Sequence, residues 1–290
     1  MFIFRAALCL LLMLLTMTSA VWAGVRLECP DKVSQGEPFY VRVVSDEPVE
    51  IVRLFWGPMT VDATVRSEAG AWVALAMLGT GSMAKPGIGQ VKASIQGSDG
   101  PRELTRAVRI TSRKFAEQRL KVAKKMVNLS QAQLDRHYRE KARVKKAMAD
   151  ISPERFWNGQ FLRPIPGGIS STYGLRRIFN GEPRKPHAGV DFRGKKGTPI
   201  KAVAPGEVVL TGSHYFSGNV VYVDHGLGVV SVYCHLSAID VAEGQFVSAG
   251  QVLGKVGSTG RVTGPHLHFG LSVLGQYVDP MPLIEGRITP

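Results

Sequence analysis

Asn219-Val220-Val221-Tyr222-Val223, then Asp224-His225-Gly226-Leu227-Gly228, then Val229-Val230-Ser231-Val232-Tyr233: two β-branched runs flank a short Gly-rich break, which reads as a β-hairpin. Working outward, the same pattern recurs. Lys201-Ala202-Val203-Ala204-Pro205-Gly206-Glu207-Val208-Val209 reads as strand, turn, strand, and Val247 to Gly257 holds two more apolar stretches. Little room for helix remains between Phe161 and Tyr277. Residues 161–290 are therefore expected to form a mainly β domain whose functional groups sit on strands.

Upstream, short runs such as Phe39-Tyr40-Val41-Arg42-Val43-Val44 and Ala71-Trp72-Val73-Ala74-Leu75 are punctuated by Gly, Pro, Asp and Ser. Strands at this spacing predict a small antiparallel sandwich over residues 24–113. Gln35-Gly36-Glu37-Pro38-Phe39 resembles the opening of bacterial Ig-like modules. No catalytic constellation lies there, so a binding or spacing role is expected. Residues 114–160 shift toward Lys, Arg and Ala and predict a basic helical linker. Ser130-Gln131-Ala132-Gln133 has the capping-box pattern. Leu134, Tyr138, Ala142, Val144 and Met148 supply an apolar stripe, giving a helix over Gln131 to Ala149. Its cations read as a solvated face, the sharper reading being a dock for an anionic wall polymer or lipid surface. His137 is expected to be a surface residue without partners. Pro153, Pro164 and Pro166 with Gly167 and Gly168 mark the boundary that follows.

The N-terminus carries Arg5, an apolar run from Ala6 to Met17 and the small-x-small triplet Val21-Trp22-Ala23. That is the pattern of a secretory signal over residues 1–23, cleaved after Ala23; an uncleaved anchor is the alternative. No Cys stands at the cleavage point, which argues against a lipoprotein, and no transmembrane helix is expected after the signal. The net charge of +13 favours polyanionic surroundings such as membrane surfaces or carboxylate-rich polymers. Export, with no base-stacking motif or basic recognition helix, argues against nucleic acid. Cys9 leaves with the signal. Cys29 and Cys234 are expected to be buried thiols, although an oxidising compartment permits a bridge.

Three stretches carry chemistry. His266 and His268 stand two apart, so on a strand both imidazoles face one side. One could bind a metal while its neighbour stands beside a bound water; a solvated face backed by buried Leu267 and Phe269 fits the same spacing. His187 and Asp191 are separated by three residues, including Gly189, where a turn entering a strand could curve both about one cation, and imidazole with carboxylate suits zinc. His235 ends a strand, with Cys234 turned by alternation to the other face. Arg176 and Arg177 could hold substrate carboxylates or simply face solvent. Asn219 could line a groove or cap a turn. His214 and His225 read as structural or exposed.

Taken jointly and in order, these blocks resemble the lysostaphin-type, or LytM-like, zinc endopeptidases of bacterial peptidoglycan. The resemblance runs from about Pro164 to Pro280. It rests on Ser171-Thr172-Tyr173-Gly174-Leu175-Arg176-Arg177, Pro186-His187-Ala188-Gly189-Val190-Asp191-Phe192, Gly218-Asn219-Val220-Val221-Tyr222, Tyr233-Cys234-His235-Leu236 and Gly257-Ser258-Thr259-Gly260 through Gly264-Pro265-His266-Leu267-His268-Phe269. It implies a β-sheet groove of the duplicated hybrid motif kind, open at both ends. It implies one Zn2+ held by His187, Asp191 and His268, with His235 and His266 as the catalytic histidines. Gram-positive members often carry a Tyr six residues before the first ligand; Gly181 stands there, so oxyanion help from that position is not expected.

The activity implied is hydrolysis of peptidoglycan crosslinks, of the D-Ala to diaminopimelate kind in a periplasmic relative. The expected partners are peptidoglycan stem peptides, with wall-synthesis or divisome proteins beside them. Some relatives lack ligands and only activate wall amidases, which is the alternative; here every ligand position is filled.

Overall fold

The computed structural model describes residues 19–22, 24–98, 100–121, 130–149 and 152–290. Residues 1–18 and 23, where most of the expected signal falls, lie outside these. Ser19–Trp22 form an antiparallel strand against Val25–Glu28.

The N-terminal region is a pair of five-stranded sheets. One runs Ser19–Trp22, Val25–Glu28, Pro38–Ser45, Ala71–Gly79, Val65–Glu68; the other runs Lys32–Ser34, Gly100–Thr111, Gly87–Gly97, Val49–Trp56, Met59–Ala63. Alternation explains the pairing: Leu27, Val41, Val43 and Ala74 of the first sheet meet Val52, Leu54, Ala93 and Ile95 of the second in one apolar layer. The Trp56 indole ties the sheets together by donating to the Gly79 carbonyl at 3.0 Å. One pairing departs from the expected antiparallel pattern, because Lys32–Ser34 lies parallel to Gly100–Thr111.

The C-terminal region is a ten-stranded sheet. Its main path runs Ile169–Ser171, Val190–Arg193, His266–Val273, Val229–Ile239, Gly218–Asp224, Gly206–His214, Phe246–Val247, with Pro199–Lys201, Val252–Val256 and Gln276–Val278 attached beside it. The hairpin read from the sequence is its centre: Gly218–Asp224 pairs antiparallel with Val229–Ile239. Gly226, Leu227 and Gly228 turn the chain with φ of 84°, 51° and 77°; the two glycines do so without steric cost, whereas Leu227 is held in the left-handed region. Phe192, Tyr233, Leu267 and Phe269 pack one face of the sheet into the main core.

Residues 114–160 are more than a tether. Glu117–Leu120 lies parallel to Arg176–Phe179, and Trp157 is buried in the C-terminal core. The helix spans Gln131–Ala147, with both capping-box bonds formed. It packs Val144, Ala147 and Met148 on Leu210, Val220, Tyr222, Val230, Val232 and Cys234, on the second face of the sheet. The expected stripe needs correcting. Tyr138 is 61% exposed and Ala142 is exposed, while His137 and Glu140 turn inward, because they lie one helical turn apart between Leu134 and Val144. His137 meets the Phe216 ring edge-on at 5.0 Å, and Glu140 accepts from the Tyr215 N–H. Arg139, Lys141, Lys145 and Lys146 stay exposed, as the solvated-face reading requires.

The two halves share apolar surface. Tyr40, Leu75 and Met77 join the C-terminal core, and Leu227 and Leu274 pack against the sandwich core. The Tyr173 hydroxyl accepts from the Ser82 N–H at 3.0 Å and donates to the Tyr277 carbonyl at 2.8 Å. Arg113 pairs with buried Asp279 at 2.8 Å. Cys29 and Cys234 are free thiols, both buried. Among the described residues no helix is long and apolar enough to cross a membrane.

Candidate metal centre

Strand register builds the site. In the antiparallel pair Val190–Arg193 and His266–Val273, Asp191 faces His268, Phe192 faces Leu267 and Arg193 faces His266. Opposed residues share a face. Since Phe192 and Leu267 point into the core, Asp191, His266 and His268 point to the other side. Cys234 is opposed to His268, so the site adjoins the helix-covered patch on this second face. The helix roofs part of the face, and the uncovered strip is the groove.

His187 arrives from the loop before this strand. Gly189 makes the approach: a side chain there would collide with the Phe269 carbonyl and crowd the His268 ring. The His187 Nε2, Asp191 Oδ1 and His268 Nδ1 atoms converge, with separations of 3.0 Å (His187 to Asp191), 3.0 Å (His187 to His268) and 2.8 Å (His268 to Asp191). His187 Nδ1 lies 2.9 Å from the Thr172 carbonyl, which can only accept, so the ring proton sits on Nδ1. With the proton there, Nε2 turns its lone pair toward a carboxylate, an arrangement that calls for a cation between them. The three atoms form a group able to hold a metal ion. Two imidazoles and one carboxylate, one imidazole oriented by a backbone carbonyl, are a donor set that suits zinc. Burial alone would raise the Asp191 pKa, but the adjoining His187 and His268 rings outweigh it and hold the carboxyl far below its ordinary range. Burial pushes the His268 pKa down against the pull of Asp191.

His235 reaches this group through an irregularity. Asn219 is opposed to Leu236, but Val221 is opposed to Tyr233. Cys234 and His235 together thus face one residue, which is a β-bulge. His235 has φ +68°, a left-handed conformation that costs on the order of 1–2 kcal/mol. Strict alternation would send its ring into the core with Tyr233. The bulge instead turns it onto the groove face, with centroids 4.9 Å from His266 and 6.2 Å from His268. His235 Nδ1 lies 2.9 Å from the Thr259 carbonyl, and His266 Nδ1 lies 2.9 Å from the Gly264 carbonyl. Each Nδ1 therefore carries the proton, and Nε2 is the basic atom of the neutral ring. Burial depresses the His235 pKa to about 4, so the ring is neutral near pH 7.

The other expected site residues are placed differently. Arg177 reaches inward: its Nη2 lies 3.6 Å from Asp191 Oδ2 and 3.4 Å from Ser171 Oγ, so it braces the carboxylate. Arg176, its neighbour on the strand, is exposed. Asn219 is held at the bulge. Its amide donates to the Leu236 carbonyl at 3.0 Å, beside the bulge. Thr259 Oγ1 donates to that same carbonyl at 2.8 Å and accepts from the Asn219 N–H at 2.9 Å. Sequence reasoning missed Thr172 and Thr259 as orienting residues because their carbonyls do the work, and any residue type supplies a carbonyl. His225 is fully buried between the Pro205 carbonyl and Ser231 Oγ, a structural placement.

A family model for peptidase family M23 matches residues 185–280. The crystal structure of a chain from Pseudomonas aeruginosa described as a peptidase M23 superposes with a TM-score of 0.65 at 35% identity, covering 87% of this chain and 94% of that one. Peptidoglycan DD-endopeptidase ShyA of Vibrio cholerae is 46% identical over 114 residues, 39% of this chain and 26% of that protein. DD-carboxypeptidase/endopeptidase Mpg of Neisseria meningitidis is 43% identical over 113 residues, again 39% of this chain and 26% of the relative. The match thus spans about a quarter of the length of these two relatives.

Proposed function

The chain belongs to peptidase family M23, and on that premise we propose that it is an exported, zinc-dependent endopeptidase that hydrolyses peptide crosslinks of bacterial peptidoglycan. The carrying observation is the convergence of His187 Nε2, Asp191 Oδ1 and His268 Nδ1 in an uncovered groove, with His235 and His266 beside them. A zinc ion in that position supplies Lewis acidity toward the scissile carbonyl and an acidified water.

The chain's own groups do the rest. His235, neutral and with Nδ1 fixed on the Thr259 carbonyl, takes a proton at Nε2 and can return it to the leaving amine. His266, fixed by the Gly264 carbonyl, presents a second imidazole to the charge that develops on the carbonyl oxygen. The flanking His187 and His268 rings hold Asp191 ionised as a ligand, and Arg177 braces it at 3.6 Å. The extended groove suits a flexible peptide, and the matched relatives named as DD-endopeptidases favour a D-Ala to diaminopimelate crosslink in the periplasm. Among its described residues the sandwich has no comparable metal-ligating cluster; we assign it a binding or spacing role, with stem peptides and wall-synthesis or divisome proteins as partners.

The test is digestion of purified sacculi by the full chain and by His268→Ala, with mass spectrometry of products, metal analysis and a chelator control. Crosslinked dimers should fall to monomers only with the wild-type, metal-loaded protein. No zinc in the protein, or equal digestion by both, would instead support a non-catalytic activator of a wall amidase.

A further inference from the structure

Arg193 has no part in the chemistry above, yet the register puts it in the groove. It stands two residues after Asp191 on the same strand and is opposed to His266. Its side chain therefore leaves the sheet on the face that carries both, while Phe192 between them is buried in the core. Its backbone is fixed independently of its side chain: the N–H donates to the Gly168 carbonyl at 2.7 Å, and Gly167 packs directly on its carbonyl. Past Arg193 the chain continues Gly194-Lys195-Lys196. Arg193, Gly194, Lys195 and Pro265 line an open hollow of about 450 Å³, one residue away from His266. Arg193, Lys195 and Lys196 carry no carboxylate partner among the described residues, whereas Arg177 on the other side of Asp191 is engaged. The groove thus has an unpaired guanidinium, with ammonium groups beyond it, at the His266 end.

We propose that Arg193, supported by Lys195, forms an anion subsite that takes the free carboxylate next to the scissile bond of a crosslinked peptide. The proposal rests on the peptidase reading of the site. In a crosslink made to a diaminopimelate side chain, the scissile nitrogen is attached to a carbon that carries a free carboxylate. A planar guanidinium beside a catalytic imidazole can receive that carboxylate through paired N–H bonds, which fixes the peptide's direction along the groove and its register over the ion. A glycine bridge, or a crosslink whose carboxylate is amidated, offers no such group.

The experiment uses the full-length, zinc-loaded protein and three defined crosslinked dimers: unmodified, amidated at the diaminopimelate carboxylate beside the scissile bond, and amidated only at the terminal D-Ala carboxylate. Wild type should hydrolyse the unmodified and the terminally amidated dimers with similar kcat/KM. It should discriminate against the first amide by on the order of tenfold, chiefly in KM. In Arg193→Ala the discrimination should collapse toward unity, and Arg193→Lys should restore part of it; zinc content and thermal midpoint serve as folding controls. An unchanged ratio in Arg193→Ala, or a ratio that follows the terminal carboxylate, overturns the proposal. If wild type cleaves none of the dimers, the peptidase reading is what fails. Equilibrium binding of the same dimers then decides the subsite: preference for the free acid, lost in Arg193→Ala, supports it, and equal binding overturns it.

Discussion

The N-terminal sandwich and the C-terminal sheet are made of the same material, β-branched strands with in-out alternation, and they use it differently. In the sandwich both inward faces meet each other in a layer packed from apolar side chains. The C-terminal sheet has one face in the core and a second face divided in two. Part of that face is roofed by the helix Gln131–Ala147; the rest carries Asp191, Arg193, His266 and His268. Chemistry here comes from leaving half of a sheet face uncovered and filling it with donors. The fold permits that without requiring it.

The largest expected effect tests whether the donors act as a metal set. His268→Ala or Asp191→Ala should reduce bound zinc from on the order of one per chain toward none, and lower crosslink hydrolysis by roughly 10³-fold or more, read by metal analysis and dimer turnover. Loss of activity with zinc retained would break the assignment. His235→Ala should separate chemistry from binding: zinc stays, while kcat falls by about 10² to 10⁴ in steady-state kinetics.

A change in the sandwich should act on stability. Leu54→Ala, at a fully buried position, should cost about 2–5 kcal/mol in denaturant unfolding. Because the two cores share residues, both regions should still melt in one transition; two separate transitions would make the comparison sharper than drawn here.

The buried histidine His225 supplies a pH signature. Burial depresses its pKa from 6.5 to about 4, so the unfolded chain takes up the proton first. Its contribution is complete above about pH 6.5 and is lost as pH falls toward 4, roughly 3 kcal/mol in all. Unfolding at pH 7 and pH 4.5 should show a shallower fall for His225→Gln than for wild type. Smallest is Tyr173→Phe, which removes one hydrogen bond between the halves, to Ser82, and one within the C-terminal half, to Tyr277, at about 1–2 kcal/mol together, visible as a drop in thermal midpoint.

Much of this was legible in residue order. The alternation of Val221 to Tyr233 gives the central hairpin, and His266-Leu267-His268 gives two imidazoles on one face, as found. The capping box at Ser130 starts the helix where expected. What was hidden depends on partners distant in sequence. Alternation turns His235 away from the groove, and only the bulge against Asn219 and Val221 brings it back. Asn219 could be read as lining a groove or capping a turn because nothing nearby in sequence announces the Leu236 carbonyl as the acceptor of its amide. The helix stripe shifted to His137 and Glu140 because its target, the Tyr215-Phe216 turn, offers an N–H and a ring edge where an aliphatic surface was assumed.

The tripeptide Thr172-Tyr173-Gly174 does two jobs within three residues. Its first carbonyl steers His187, its middle hydroxyl grips Ser82 of the sandwich, and its last N–H clasps the His187 carbonyl. The sandwich is therefore no detachable accessory. Trimming it away would slacken the very segment that aims a ligand, and an isolated C-terminal half should hold its ion more loosely even with every ligand intact.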